Sequence, residues 1–240
     1  MIALTVHSAS DAAADEIRIA VASNFAGAIE QLAERFQTKT GHKVTLAFGS
    51  TGKHYAQIKN GAPFDAFFAA DVERPELLER EGVALPGTRF TYAVGKLVLW
   101  SPQQAYVDTA GKVLGQGDFR HLALASPKLA PYGKAAQQVL LALGLWDSLQ
   151  GRTVRGENIG QTFQFVKSGN AELGFVAYSQ IKNPDGAMEG SFWEVPQSLY
   201  EPIKQQGVLL KEGEVARAFM TFVKSEESLE IIRSFGYGTL

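Results

Sequence analysis

The chain has no cysteine among its 240 residues, which excludes disulfides, thiolate metal sites and cysteine nucleophiles while leaving the compartment open. It also lacks any excess of one charge. Lys and Arg total 23 against 25 Asp and Glu, a net of −2, so the basic face of a nucleic-acid surface is missing and no nucleic-acid partner is expected. No apolar run approaches the length of a membrane span. The four histidines, His7, His42, His54 and His121, are scattered without ligand spacing, which points to surface roles rather than a metal site. A GxSxG elbow, a Walker A pattern and an HExxH helix are all absent, and Gly115-Gln116-Gly117 has no third glycine. Asp65 and Asp71 flank a predicted strand, where structural roles are expected, Asp71 as the cap of the helix after Arg74. No nucleophile and base stand out, so a catalytic function is not expected.

What is present is ordinary globular material. A hydrophobic content of 45% with 10% aromatics suits one large domain or two small ones, either of which buries roughly 70 to 75% of its unfolded surface. The first fourteen residues read differently. Ile2, Ala3, Leu4 and Val6 form a short apolar stretch, and Ala12-Ala13-Ala14 before Asp15 gives an A-x-A cleavage pattern. The stretch reads as the tail of a secretory signal whose start lies upstream, with a disordered tail as the alternative.

From Asp15 onward the pattern is βαβαβ. Ile17 to Ala22 is a continuous apolar run fit for a buried parallel strand. Phe25, Ile29, Leu32 and Phe36 then fall on one helical face, and Gly41 stands where a left-handed cap belongs. Val44, Leu46 and Phe48 predict a second strand. A second helix from Gly52 stops at Asn60-Gly61, and Asp65 to Ala70 predicts a third strand. Such alternation implies a parallel sheet with right-handed crossovers and a ligand crevice at the carboxyl ends of its strands. Two long extended segments, Phe90 to Trp100 and Tyr200 to Leu210, enclose a second α/β series. That series has a strand at Leu122 to Ala125, a helix opening at Pro131-Tyr132-Gly133, a junction at Glu157 to Gln161 and a strand at Leu173 to Ala177. Helices near Val215 to Val223 and Ser228 to Phe235 close the chain. Two crossings imply two lobes on a hinge. Residues 15–93 with 204–240 are assigned to lobe I and residues 94–203 to lobe II.

The chemistry concentrates at strand-to-helix junctions. Val21-Ala22-Ser23-Asn24-Phe25 and Phe48-Gly49-Ser50-Thr51-Gly52 carry small donors and no charge. The first N–H groups of a helix have no partners within it and carry the positive end of its dipole, so hydroxyls and amides placed there can surround an oxyanion. Ser23-Asn24 would also serve as a plain helix cap, and Gly49-Ser50-Thr51-Gly52 as a plain turn. Both junctions lie at one edge of one inferred sheet, and two more glycine-flanked helix starts lie in the other lobe, so four helix N-termini can face one cleft. Neutral donors fit reversible recognition better than chemistry. Lys53 and His54, just inside the second helix, are read as solvated helix residues, with steering of an anion as the alternative.

With those junctions in place, the chain resembles the periplasmic molybdate/tungstate-binding proteins of ABC transporters. The likeness rests on Ala22-Ser23-Asn24-Phe25, Gly49-Ser50-Thr51-Gly52, Asn60-Gly61-Ala62-Pro63, Ala69-Ala70-Asp71, Ala130-Pro131-Tyr132-Gly133, Leu173-Gly174-Phe175-Val176 and Tyr200-Glu201-Pro202-Ile203, taken in that order. The resemblance implies an α/β, two-lobed type II periplasmic-binding fold, each lobe a mainly parallel sheet flanked by helices and joined by two crossing strands. It implies a molybdate or tungstate ligand held between lobes and no cofactor or catalytic residue. A monomer in the periplasm that delivers its anion to the membrane permease of an ABC transporter is implied too. Carried over by position, Ser23, Asn24 and Thr51 donate from lobe I through side chain or main chain, and Tyr132 and Ile159 donate main-chain N–H groups from lobe II. They touch the oxygens of the anion, and none is a direct metal ligand. The chain departs from the family in two places. Some members place a tyrosine hydroxyl at the position of Ala177, whereas here the neighbouring Tyr178 points to the opposite face, and Thr51 replaces the usual serine. A binding protein for sulfate, thiosulfate or phosphate on the same fold remains an alternative. So does the effector lobe of a transcription regulator, although the fourteen residues before the first strand do not hold a helix-turn-helix.

Overall fold

The computed structural model describes residues 15–182, 186 and 188–239; the signal-like stretch 1–14 lies outside them. The apolar run after Asp15 becomes β1 (Glu16–Ala22), a strand with Ile19, Ala20 and Val21 fully buried. A single 3-10 turn, Ser23–Phe25, leads into α1 (Ala26–Thr40). This helix buries Ile29, Leu32 and Phe36 and ends at Gly41, whose φ of 74° is the left-handed conformation expected there. β2 (Lys43–Gly49), α2 (Thr51–Lys59), β3 (Ala66–Ala69) and α3 (Glu73–Arg80) follow. β4 (Phe90–Gly95) closes this series.

After Lys96 the chain enters a second sheet through β5 (Leu97–Ser101). A short helix α4 (Val113–Gln116) precedes β6 (Leu122–Ala125), α5 (Pro131–Ala142), α6 (Trp146–Leu149), β7 (Thr153–Gly156) and α7 (Ile159–Lys167). β8 (Leu173–Ala177), α8 (Tyr178–Ile181) and β9 (Ser191–Glu194) complete the second lobe. β10 (Ile203–Leu209) returns to the first sheet, and α9 (Glu214–Val223) and α10 (Glu226–Ser234) pack on it.

Each sheet has five strands, ordered β2-β1-β3-β10-β4 in one and β7-β6-β8-β5-β9 in the other. Both are mainly parallel, and in each the strand that runs against its neighbours is a crossing strand. β10 is antiparallel to β3 and β4, and β5 is antiparallel to β8 and β9. The segment from Phe90 to Trp100 reads in sequence as one extended stretch, but it splits at Gly95 and Lys96 between the two sheets. Side-chain alternation then sends Leu97 and Leu99 to one apolar cluster and Val98 and Trp100 to the other.

Both faces of each sheet are covered. In the first lobe Phe25, Ile29, Phe68 and Phe219 fill one side, and Ile58, Phe67, Leu78 and Val208 fill the other. The second-lobe core of Leu124, Val139, Leu140 and Phe175 extends to Ala22 and Ala70 at the ends of first-lobe strands, so the two lobes are closed on one another.

His54 departs from its sequence reading. It is buried, only 4% exposed, on the inner face of α2, with its ring edge-on to Phe64 and Phe67. Burial wins because Gly49 has no side chain; a Cβ there would lie 2.8 Å from His54 Nε2.

Candidate functional site: a neutral cavity between the lobes

The ends of β1, β2 and β3 and the starts of α2, α5 and α7 border a small cavity between the lobes. The first lobe lines it with Ala22, Ser23, Asn24, Gly49, Ser50, Thr51 and Ala70, and the second with Ala130, Pro131, Tyr132, Asn158 and Ile159. None of these residues carries a formal charge. All five residues that the sequence singled out, Ser23, Asn24, Thr51, Tyr132 and Ile159, meet there. Ser50 and Asn158 line the same space; the sequence places both in donor-bearing or helix-start junctions but singles out neither as a site residue, although each stands at an N-cap position.

The helix geometry explains which N–H groups are free. The first bonds of the three helices run from His54 N to Ser50 O, Lys134 N to Ala130 O and Thr162 N to Asn158 O. Thr51, Tyr132 and Ile159 stand ahead of those bonds and have no acceptor within their helices. Pro131 opens α5 with no N–H to satisfy and a preset φ. Gly133 follows because any Cβ would meet the Ala125 carbonyl at 2.3 Å. Two hydroxyls leave their own hydrogens free. Ser50 Oγ accepts from Lys53 N at 3.3 Å, and Thr51 Oγ1 accepts from Ala70 N at 3.0 Å.

Three side chains behave differently. Ser23 reaches across the cleft, its hydroxyl donating to Asn158 Oδ1 at 3.1 Å and accepting from Gly160 N at 3.1 Å. Asn24 turns its amide into the protein, with Nδ2 donating to Gln205 Oε1 at 2.8 Å and to the Tyr237 hydroxyl at 3.1 Å. Its side-chain amide hydrogens are thereby turned away from the cavity. The phenol of Tyr132 also points inward, accepting from Gln205 Nε2 at 3.3 Å, and burial pushes its pKa well up. Tyr178 lies outside the cavity, its ring against Phe192 and its N–H bonded to Lys96 O.

Other contacts join the lobes around the cavity. Gly52 N donates to Leu129 O at 2.8 Å, Arg74 Nη2 to Lys128 O at 3.1 Å, and Ser179 Oγ to Asn24 O at 3.0 Å. Lys53 Nζ pairs with Glu157 at 3.1 Å, so Lys53 is exposed as read but also bridges the cleft. Asp71 accepts from Arg74 N at 3.1 Å and ion-pairs with its guanidinium, while burial raises its carboxyl above the ordinary range. Asp65 accepts from Arg18 N at 2.7 Å. Both aspartates are thus tied to backbone. Among the described residues no cluster of His, Asp and Glu could hold a metal ion, and no helix is long and apolar enough to cross a membrane.

Two α/β lobes shut over a cavity of neutral donors define a solute-binding protein, and residues 17–238 match the bacterial extracellular solute-binding protein family, to which this chain belongs. Within it, the chain is 50% identical to the molybdate-binding protein ModA of Azotobacter vinelandii over 95% of this chain and 91% of that one. It is also 50% identical to ModA of Rhodobacter capsulatus, over 99% and 94%. The solved periplasmic molybdate-binding protein of Azotobacter vinelandii superposes with a TM-score of 0.91 at 46% identity, covering 93% of this chain and 99% of that one.

Proposed function

We propose that the chain binds molybdate or tungstate in the inter-lobe cavity and carries it, as a periplasmic monomer, to the membrane permease of an ABC importer. Ser23, Thr51, and the main-chain N–H groups of Asn24, Tyr132 and Ile159 are the donors, and no residue has a catalytic role. With β4 ending at Gly95 and β10 starting at Ile203 in one sheet, lobe I is taken as residues 15–95 and 203–240 and lobe II as residues 96–202, which moves the boundaries expected from the sequence, 93/94 and 203/204, by two residues and one. The single observation that carries this reading is a cavity lined by donors from four helix starts with no formal charge of either sign.

The chemistry of that lining favours a fully ionised oxyanion. Phosphate near neutral pH keeps a proton that needs an acceptor, and no carboxylate lines the cavity. Five bonds to a charged acceptor, at ~1.5 to 3 kcal/mol each, give a gross ~7.5 to 15 kcal/mol against an association cost of ~4 to 15, which leaves room for tight binding at the lower costs. The relatives matched over nearly their whole length are named molybdate-binding proteins, which supports the molybdate part of this reading.

Calorimetric titration with molybdate, tungstate, sulfate and phosphate in turn tests it. Molybdate and tungstate are expected to bind at least about a hundredfold more tightly than phosphate. Stronger binding of sulfate would move the protein to another oxyanion on the same fold, and no binding to any of the four would remove this reading of the cavity.

A further inference from the structure

Gln205 is fully buried on β10 and does not itself line the cavity, but its amide bonds to three side chains, two of them from lining residues. Oε1 accepts from Asn24 Nδ2 at 2.8 Å and from the Tyr92 hydroxyl at 3.0 Å, and Nε2 donates to the Tyr132 hydroxyl at 3.3 Å. Asn24 and Tyr92 belong to the first lobe, and Tyr132 is the second residue of α5 in the second. One amide therefore ties a lobe I donor residue to a lobe II donor residue.

The surroundings are built to hold this contact. Tyr237 secures the other side of Asn24, accepting from Nδ2 and donating to the Asn24 carbonyl at 2.6 Å. Gly95, the last residue of β4, makes the space: a Cβ there would lie 2.1 Å from the Tyr132 hydroxyl and 2.7 Å from Gln205 Nε2. Burying an amide is costly unless its polar atoms are bonded, and an apolar side chain at this place in a strand would pack without that cost. Gln205 gives in exchange a fixed distance between Asn24 and Tyr132, and both present their N–H groups to the cavity through the backbone that these side chains anchor.

We infer that Gln205 is a positioning residue for the anion site, setting the spacing of the lobe I and lobe II donors in the closed state without touching the anion. The inference rests on the cavity being the oxyanion site. Molybdate titrations of the full chain test it with Gln205→Met, which keeps length and apolar bulk but removes the amide, with Tyr132→Phe, and with the pair. Gln205→Met should weaken binding by at least about tenfold and Tyr132→Phe by about two- to fivefold. If Gln205 acts through the Tyr132 phenol, to which it is bonded, the double variant should be no weaker than Gln205→Met alone, to within about twofold; losses that multiply would mean that the two side chains serve binding independently. Ser101→Ala, which removes the hydrogen bond of another buried side chain in the second lobe, outside the lining, should bind within about twofold of the parent. Should Gln205→Met not fold, Gln205→Asn, one methylene too short to reach both partners, carries the same test. A folded Gln205 variant that binds like the parent, or losses that multiply, overturns the inference. A parent that binds none of the oxyanions instead overturns the reading of the cavity, and this inference with it.

Discussion

Ser23 and Thr51 are the two hydroxyls proposed to meet the anion, and their surroundings differ. Thr51 Oγ1 is held from behind by Ala70 N and has its hydrogen to give, whereas Ser23 already spans the cleft to Asn158 and Gly160. Replacing either with alanine is expected to cost about 1.5 to 3 kcal/mol of molybdate binding, roughly ten- to a hundredfold. Ile159→Val keeps its main-chain donor and should cost under about 1 kcal/mol. Titration of the three variants checks this, and parent-like binding by both alanine variants would remove the hydroxyls from the site. His54 makes a separate prediction about stability. Its ring is buried, its Nε2 has no hydrogen-bond partner among the described residues, and burial lowers its pKa. The unfolded chain takes up a proton near the ordinary histidine value of about 6.5 while the folded chain resists it. The stability is therefore whole above that pH and declines as the pH falls below it. Urea midpoints at pH 7.5 and 5.5 should drop further for the parent than for His54→Gln, and equal drops would show that His54 is not the group responsible. Side chains of this kind are only partly legible in a sequence. Ser23 and Thr51 announce themselves as hydroxyls at helix starts, but the N–H groups of Tyr132 and Ile159 belong to the backbone, which any residue carries, so only the family resemblance pointed to them. Gln205 sits in the polar run Lys204-Gln205-Gln206 of the extended segment Tyr200 to Leu210, and the signal for its burial is the strand alternation that puts it on the same side as Ile203.

At the scale of elements, the starts of α2 and α7 are where closure is decided. Gly52 has an ordinary helical backbone, so alanine there should help α2 by a fraction of about 1 kcal/mol. In the closed state, however, its Cβ would lie 3.0 Å from Leu129 O and 3.1 Å from Leu129 Cα, both backbone atoms of the opposite lobe. Gly52→Ala is therefore expected to keep or raise the melting temperature of the anion-free protein while weakening molybdate binding by about 1 to 3 kcal/mol. Losses in both, or in neither, would show that the glycine serves the helix and not the closure. The neighbouring Lys53–Glu157 pair is half-exposed on both sides and adds little, less still at high salt. Elements were more legible than side chains, for physical reasons visible in particular places. The apolar run of β1 and the left-handed glycines Gly41, Gly61 and Gly169 declare themselves locally. The break between β4 and β5 does not, because Phe90 to Trp100 stays extended throughout and only the partners of its two halves differ.

For the whole molecule, the proposed hinge lies where the chain crosses at Gly95–Lys96 and again before Ile203. Opening must separate Gly52 from Leu129, Arg74 from Lys128 and Ser23 from Asn158, all of which are in contact here. Small-angle scattering should show a smaller radius of gyration with molybdate than without, and an unchanged radius with binding confirmed independently would argue against closure by both lobes. Affinity should hardly change between about pH 6 and 8, since hydroxyls, amides and main-chain N–H groups do not titrate there. The order of strands in the first sheet bears on how the molecule is made. β10 lies between β3 and β4, yet it follows both in the chain only after the entire second lobe. Until Ile203–Leu209 emerges, β3 and β4 have no strand to pair with on their facing sides, and the first sheet is two separate pieces with apolar edges open. The second sheet has all of its strands in one continuous stretch, from Leu97 to Glu194, and can assemble early. A chain ending before Ile203 would thus be expected to hold a protease-resistant second lobe beside a first lobe that digests readily, making the last strand to appear the one that commits the anion site to form.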